Sequence, residues 1–125
     1  MSEEKEKIRS FRDLKIWQRG IALVEEIYEI TSQLRRAAVS IPSNISEGFM
    51  RFHSKEYIQF LYISLGSSAE LATQIEIASR LRFLEGSMAK RLIQETEEIS
   101  KMVMGLIKSL RYPRPANPYP LSTND

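Results

Sequence analysis

The sequence predicts an all-α protein, an up-down-up-down antiparallel four-helix bundle whose second helix is kinked at Pro42. Apolar residues recur at three- and four-residue steps over four segments, and no segment shows the alternation of a strand. The links between segments are short, so consecutive helices are expected to be antiparallel neighbours. We expect residues 1–9 to form a charged tail, residues 10–112 the bundle, and residues 113–125, with four of the five prolines, an extended tail.

Composition narrows the classes of function. The 125 residues suffice for one hydrophobic core, and the absence of cysteine excludes disulfides and thiolate chemistry. A single histidine, His53, leaves few ways to bind a transition metal, so no metal or cofactor is predicted. The net charge of +2 permits an anionic partner without requiring one. No apolar run could span a bilayer and the N-terminus is too charged for a signal peptide, which predicts a cytoplasmic protein without membrane contact.

The first helix begins with a capping signal. Ser10 and Asp13 have the spacing at which each side chain satisfies a free backbone N–H of the first turn. An amphipathic helix is then predicted by an apolar stripe at Leu14, Trp17, Ile21, Val24 and Tyr28.

The junction between the first two helices lacks a turn signal. Only residues 31–33 separate Ile30 from Leu34, without glycine or proline, whereas a helix reversal takes about two to eight residues. The apolar stripe also continues through this junction. Two interpretations stay open: the two helices form one long rod, or a connecting segment is absent from this sequence.

Proline, glycine and serine mark the remaining helix boundaries. Pro42 removes a backbone hydrogen bond and predicts the kink in the second helix, which is expected to end near Gly48. Ser54 is expected to cap the third helix. Gly86 is expected to end that helix, and Ser87 to cap the fourth.

The third helix, expected over about residues 55–84, is apolar on nearly every side near its start. A helix buried on one face would not need that pattern, and one bundle neighbour cannot cover it. Contact with another subunit is therefore expected. The predicted oligomer interface consists of the aromatic residues Trp17, Tyr57, Phe60 and Tyr62.

Polar residues share one face on each of the two middle helices: Ser40, Asn44 and Glu47 on the second, Ser67 and Glu70 on the third. If the two faces meet, these side chains form a buried polar network. Two roles are open: a hydrogen-bonded core that fixes helix register, and an acid/base or metal site on Glu47 and Glu70. We favour the structural role, because a di-metal bundle needs paired Glu-x-x-His motifs and the sequence contains none.

The run from Gln33 to Gly48, QLRRAAVSIPSNISEG, closely resembles the signature of the small bacterial four helix bundle protein family. This family includes proteins encoded in intervening sequences of 23S ribosomal RNA genes, and it is similar to the accessory protein of diversity-generating retroelements. The likeness extends to Phe11–Gln18 and Glu56–Leu71, and so covers most of residues 11–110.

The resemblance implies a left-handed bundle that assembles into a ring, typically a homopentamer. For the retroelement branch it implies a positively charged surface that engages RNA or DNA and a reverse transcriptase, and for most members no established activity. Family members usually carry a loop of about ten residues before the SQLRRA segment, and this loop is missing here. The departure favours the interpretation that a connecting segment is absent.

Basic residues are the remaining functional lead. On a monomer such charges are usually a solvated face, but in a ring weak patches on one side add to a field able to hold phosphates. The predicted nucleic-acid-binding residues are Arg35, Arg36, Arg51, Lys55, Arg80 and Arg82. The sequence contains no phosphate loop, nucleophile elbow or Gly-rich dinucleotide motif, so we predict that the protein is not an enzyme.

Two functions follow, in order of preference. The first is an oligomeric accessory protein that holds nucleic-acid backbone, with salt-steep binding that weakens when Arg35 and Arg36 become alanine. The second is a structural scaffold that docks a protein partner, whose capture would be insensitive to nuclease.

Overall fold

The computed structural model of the chain describes residues 7–27 and 32–112. A 3-10 turn, Phe11–Asp13, is followed by four α-helices. The helices are α1, Lys15–Ile27; α2, Ser32–Phe49; α3, Ser54–Arg80; and α4, Gly86–Arg111. No strand occurs among the described residues, which confirms the all-α prediction. The predicted C-terminal tail, most of the N-terminal tail and the junction at residues 28–31 lie outside them.

The four helices form a closed bundle in which each contacts its two neighbours, α1 with α2, α2 with α3, α3 with α4, and α4 with α1. Contacts that advance along α2 retreat along α3: Ser40 meets Ser67, whereas Gly48 meets Tyr57. For α1 and α4, the ion pairs Arg19–Glu95 and Glu26–Arg91 show the same opposite directions. For α3 and α4, Tyr62 lies beside Arg111 and Glu76 beside Ile93. Helix α1 is then antiparallel to α2 as well. The antiparallel up-down-up-down prediction is therefore confirmed.

The core is aliphatic, and every helix contributes to it. Its largest fully buried members are Leu23, Ile41, Ile45, Leu61, Leu71, Ile75, Leu92, Ile99, Val103 and Ile107. No aromatic ring of the described residues belongs to this set, so the aromatic side chains lie toward the surface and the helix ends. Pro42 is inside α2, where its ring lies close to Gly20 of α1. A side-chain Cβ at Gly20 would approach that ring to 3.2 Å, so the glycine permits the close approach of the two helices.

The predicted capping box is present, but it closes the 3-10 turn and not the first turn of α1. Ser10 Oγ accepts a hydrogen bond from the Arg12 N–H at 3.0 Å. Asp13 Oδ2 accepts from the N–H groups of Ser10 and Arg9, at 3.0 and 2.8 Å. These backbone donors stabilise the carboxylate and hold the pKa of Asp13 below its usual value. Helix α1 starts two residues later, at Lys15.

The predicted boundaries at Ser54 and at Gly86–Ser87 are wrong, whereas the predicted end of α2 is confirmed. Ser54 is the first residue of α3 and not its cap, which is the extended His53, whose side chain makes no capping hydrogen bond. Gly86 does not end α3, because it is the first residue of α4, and Ser87 follows it inside that helix. Helix α2 ends at Phe49, one residue after the predicted Gly48, but no glycine takes the left-handed conformation of a C-terminal cap among the described residues.

Helix α3 ends at Arg80 because Arg82 adopts the left-handed conformation, with φ at 66°. The Phe83 N–H donates to the Ala78 carbonyl at 2.9 Å, and the Arg82 N–H donates to the Ser79 carbonyl at 3.0 Å. This pair of bonds is a Schellman motif, which satisfies the last carbonyls of a helix and usually has glycine at the left-handed position. An arginine here hides the boundary from sequence inspection.

Candidate nucleic-acid interface

The structure brings three of the five predicted polar residues together between α2 and α3. Ser40 Oγ and Ser67 Oγ lie 2.6 Å apart in a hydrogen bond. Asn44 Nδ2 donates to Ser40 Oγ at 2.9 Å and to the Ser40 carbonyl at 2.8 Å. The buried Ser64, which sequence inspection did not select, donates from Oγ to the Ile41 carbonyl at 3.3 Å. This cluster of hydroxyl and amide groups joins the two helices at one register.

The two carboxylates are not part of that cluster. Glu47 is exposed and accepts a hydrogen bond from Arg51 Nη2 at 2.6 Å, one turn along the chain. Glu70 is exposed and lies 3.4 Å from Gln74 Nε2. Within the described ranges, no group of three or more histidine, aspartate or glutamate residues is placed to hold a metal ion. What the structure assembles here is a set of neutral hydrogen bonds that fixes helix packing.

The six predicted basic residues fall at opposite ends of the bundle. Arg51 and Lys55 lie at the end where α2 passes into α3, and Arg35, Arg36, Arg80 and Arg82 lie toward the other end. At 1.5 Å per residue, Lys55 and Arg80 are about 37 Å apart along α3. Within one chain the six residues therefore form two separate groups.

The first group is larger than sequence inspection indicated. Because α1 begins near the α2–α3 turn and α4 ends about two helical turns short of it, four further cations lie toward the end of the bundle that carries Arg51 and Lys55. We call these six residues the basic end: Arg12, Lys15, Arg51, Lys55, Lys108 and Arg111. The acidic residues among them are Asp13, Glu47 and Glu56, and Asp13 is occupied in its capping box. At the opposite end the cations are interspersed with four acids, Glu25, Glu26, Glu76 and Glu85; the cations there are Arg35, Arg36, Arg80, Arg82, Lys90 and Arg91.

The arginines of the basic end lie over aromatic rings. The guanidinium carbon is 4.7 Å from the ring centre for Arg12 over Phe11, 4.8 Å for Arg51 over Phe60, and 5.6 Å for Arg111 over Tyr62. At these distances the ring quadrupole attracts the cation. A cation held in this way keeps its charge at the surface. Because its side chain is already restricted to few rotamers, it loses less conformational entropy when it binds a phosphate.

Two of the three lysines of the basic end, Lys15 and Lys55, are placed against the helix dipole. Lys15 is the first residue of α1 and Lys55 the second of α3, where the partial positive charge of the helix N-terminus disfavours a cation. Within the described residues neither lysine forms an ion pair. Helix stability therefore does not explain why lysine occupies these two positions.

The predicted oligomer-interface aromatics are mostly engaged within the chain. Trp17 lies 5.4 Å from Phe11, and Tyr57 meets Phe49 edge-on at 6.1 Å between ring centres. Burial raises the pKa of the Tyr57 hydroxyl to about 12. Phe60 is half-buried beneath Arg51, and Tyr62 is the most exposed of the four, at 42%.

Other apolar side chains are more exposed than these four. Phe52 is 97% exposed in the link from α2 to α3, and Tyr112 is 71% exposed after α4. At the opposite end, Leu81 and Phe83 are 60% and 70% exposed. Sequence inspection missed these residues because they lie in links and helix ends, where periodicity says nothing about which side chains are covered.

A comparison with protein-family models identifies the family of the chain. None of the described helices is long and apolar enough to cross a bilayer. No curated protein matches the chain. The resemblance carried by the central QLRRAAVSIPSNISEG run is confirmed by a family model, described as 23S rRNA-intervening sequence protein, which matches residues 12–105. The chain belongs to this family.

Proposed function

We propose that this protein is a non-catalytic, oligomeric accessory factor that binds the phosphate backbone of nucleic acid through the basic end. The observation that carries the proposal is the coincidence, at one end of the bundle, of six cations and three arginine–aromatic pairs. Basic side chains interleaved with aromatic rings are typical of nucleic-acid-binding surfaces. The family description supports the proposal, since it names an intervening sequence of 23S rRNA.

Contact with phosphates is favoured over base reading in a duplex groove. The cations of the basic end come from three separate places: the start of α1, the α2–α3 turn and the end of α4. None of these presents the side of a helix or a ribbon that could enter a groove and read base edges. Phosphate contacts carry no sequence information, so we expect binding that tolerates sequence and falls steeply with salt.

The proposed assembly is a ring of identical copies, typically five, in which the basic ends add their fields. Exposed apolar side chains on α3 and at its C-terminal cap support self-association: Ile63 and Ile77 are 51% and 49% exposed, and Leu81 at the cap is 60% exposed. Their helical spacing puts them on one face, turned away from the core. A mass measurement of the purified protein before and after nuclease treatment tests the assembly and any carried nucleic acid together.

The test of the function is a salt series with matched double variants. Binding would be measured by the fluorescence anisotropy of a labelled 20-nucleotide RNA at several salt concentrations. The proteins compared are wild type, Arg51→Ala/Lys55→Ala and Arg36→Ala/Arg80→Ala. Both variants lose two cations, and each includes one arginine paired to a glutamate one turn away. We expect the first variant to flatten the salt slope by about one for each lost phosphate contact. The second variant, at the opposite end, is expected to bind like wild type.

Two outcomes would contradict this assignment. If only the variant at the opposite end loses affinity, the binding surface lies around Arg36 and Arg80. If wild type does not bind RNA or DNA even in low salt, the nucleic-acid function is refuted. The exposed Leu81 and Phe83 would then favour the second candidate, a scaffold that docks a protein partner, and nuclease-insensitive capture that fails in Phe83→Ala would support it.

A further inference from the structure

The link between α2 and α3 exposes an aromatic ring at the tip of the basic end. Phe52 is 97% exposed, so almost none of its ring contacts the chain, and Met50 beside it is 66% exposed. The other residues of the link and of the first turn of α3 are polar or charged, and all of them are exposed: Arg51, His53, Ser54, Lys55 and Glu56. An exposed aromatic ring flanked by cations is a combination that single-stranded nucleic acids bind, because a base stacks on the ring and the cations contact the backbone.

The link also projects beyond the neighbouring helix. Arg111, the last residue of α4, lies over Tyr62 of α3. Ser54, where α3 begins, is eight residues before Tyr62, which is about 12 Å farther along the axis. Phe52 lies before Ser54 in this projecting link, between two cations of the basic end, Arg51 and Lys55.

We propose that the basic end binds single-stranded nucleic acid, RNA or DNA, and that an unpaired base stacks on Phe52 while Arg51 and Lys55 contact the flanking phosphates. This inference rests on the proposed function and narrows it to a strand form. Every base has a face that can stack on an aromatic ring, and cations beside the ring track the backbone. In a duplex the bases are paired and stacked on one another, so the ring has no face to bind, and only the phosphate contacts remain.

The experiment compares two ligands and three variants of the full chain. The ligands are a labelled 16-nucleotide oligouridine and a labelled 16-base-pair RNA duplex. The DNA counterpart of each, with thymidine in place of uridine, is also tested. The variants are Phe52→Ala, Phe52→Trp and Phe83→Ala, the last removing an exposed phenylalanine from the link at the opposite end. Because both phenylalanines are exposed, neither substitution disturbs the core.

We expect Phe52→Ala to weaken single-strand binding about tenfold, with unchanged duplex affinity and unchanged salt slope. Phe52→Trp is expected to retain single-strand binding, and its fluorescence is expected to be quenched more than that of wild type when oligouridine is added. Phe83→Ala is expected to bind both ligands like wild type.

Two results would overturn the inference and leave the proposed function standing. They are single-strand affinity unchanged in Phe52→Ala, and equal losses of affinity for single strand and duplex. The absence of binding to any of the nucleic acids by wild type in low salt would instead refute the proposed function itself, and Phe52-dependent binding to phosphatidylserine vesicles in that case would assign the ring to a lipid surface.

Discussion

Replacing Gly48 with alanine tests how closely α2 and α3 must approach each other. A Cβ at this buried position would lie 2.8 Å from Phe60 Cβ, 2.9 Å from Tyr57 Cδ1 and 3.2 Å from the Tyr57 carbonyl oxygen. Two of these three atoms move only with the backbone of α3, so the helices must separate. Overpacking of this kind costs about 1–3 kcal/mol, and such rigid neighbours favour the upper value.

Alanine also favours the helix over glycine by about 1 kcal/mol, so the expected net loss at Gly48 is about 2 kcal/mol. Gly105 provides the control, because it is exposed within α4 and a Cβ there would have no atom within 4 Å. We expect Gly105→Ala to gain about 1 kcal/mol. Urea unfolding followed by circular dichroism at 222 nm, at one protein concentration, measures both free energies. A Gly48→Ala variant as stable as wild type would refute the close-packing argument.

Three further changes test the helix ends. Arg82→Gly is expected to raise the free energy of unfolding by about 1 kcal/mol, because glycine adopts the left-handed conformation without strain, and Arg82→Ala, which keeps the strain, should show no such gain. The pKa of Tyr57 is raised to about 12, so its stabilising contribution is present below pH 10 and is lost as the pH rises toward 12. Tyr57→Phe should therefore lose less stability than wild type over that interval in urea unfolding, and equal losses would contradict the burial argument. Lys55→Gln is expected to raise the free energy of unfolding by about 0.5 kcal/mol, because it removes a cation from the N-terminus of α3. The same variant is expected to bind RNA more weakly than wild type. A loss of stability would contradict the dipole argument.

The helices and the core were predictable because their apolar periodicity is long and unbroken. The boundaries were harder to predict wherever a local rule had an exception. Glycine is the usual residue at the left-handed end of a helix, which favours Gly86, but α3 ends at Arg80 and the left-handed residue is Arg82. The cost of that conformation is offset by the two hydrogen bonds of the Schellman motif. Residue type alone favours Ser54 as the N-terminal cap of α3, but the cap residue is its neighbour His53, whose backbone is extended.

The candidate site was less predictable, because helical spacing defines a broad face and not individual contacts. Ser67 and Glu70 share a face by spacing, yet Ser67 is buried against Ser40 whereas Glu70 is exposed. Glu47 forms an ion pair with Arg51 one helical turn away. This local pair competes with any contact that Glu47 could make across the interface between α2 and α3. The further cations of the basic end could have been found from the predicted antiparallel topology, which places the start of α1 and the end of α4 at the same end of the bundle as the α2–α3 link.

The two lysines at helix N-termini discriminate best between a binding surface and a merely soluble one. Arg51, Lys108 and Arg111 lie at or just after helix C-termini, where a cation stabilises the helix, so their presence is explained equally well by folding. Lys15 and Lys55 lie where the same dipole opposes them. A surface that served only solubility could carry those charges anywhere on the exposed faces, without that unfavourable term. Their position beside the stacked arginines is therefore better explained by attraction of phosphate to this end of the bundle than by stability of the fold.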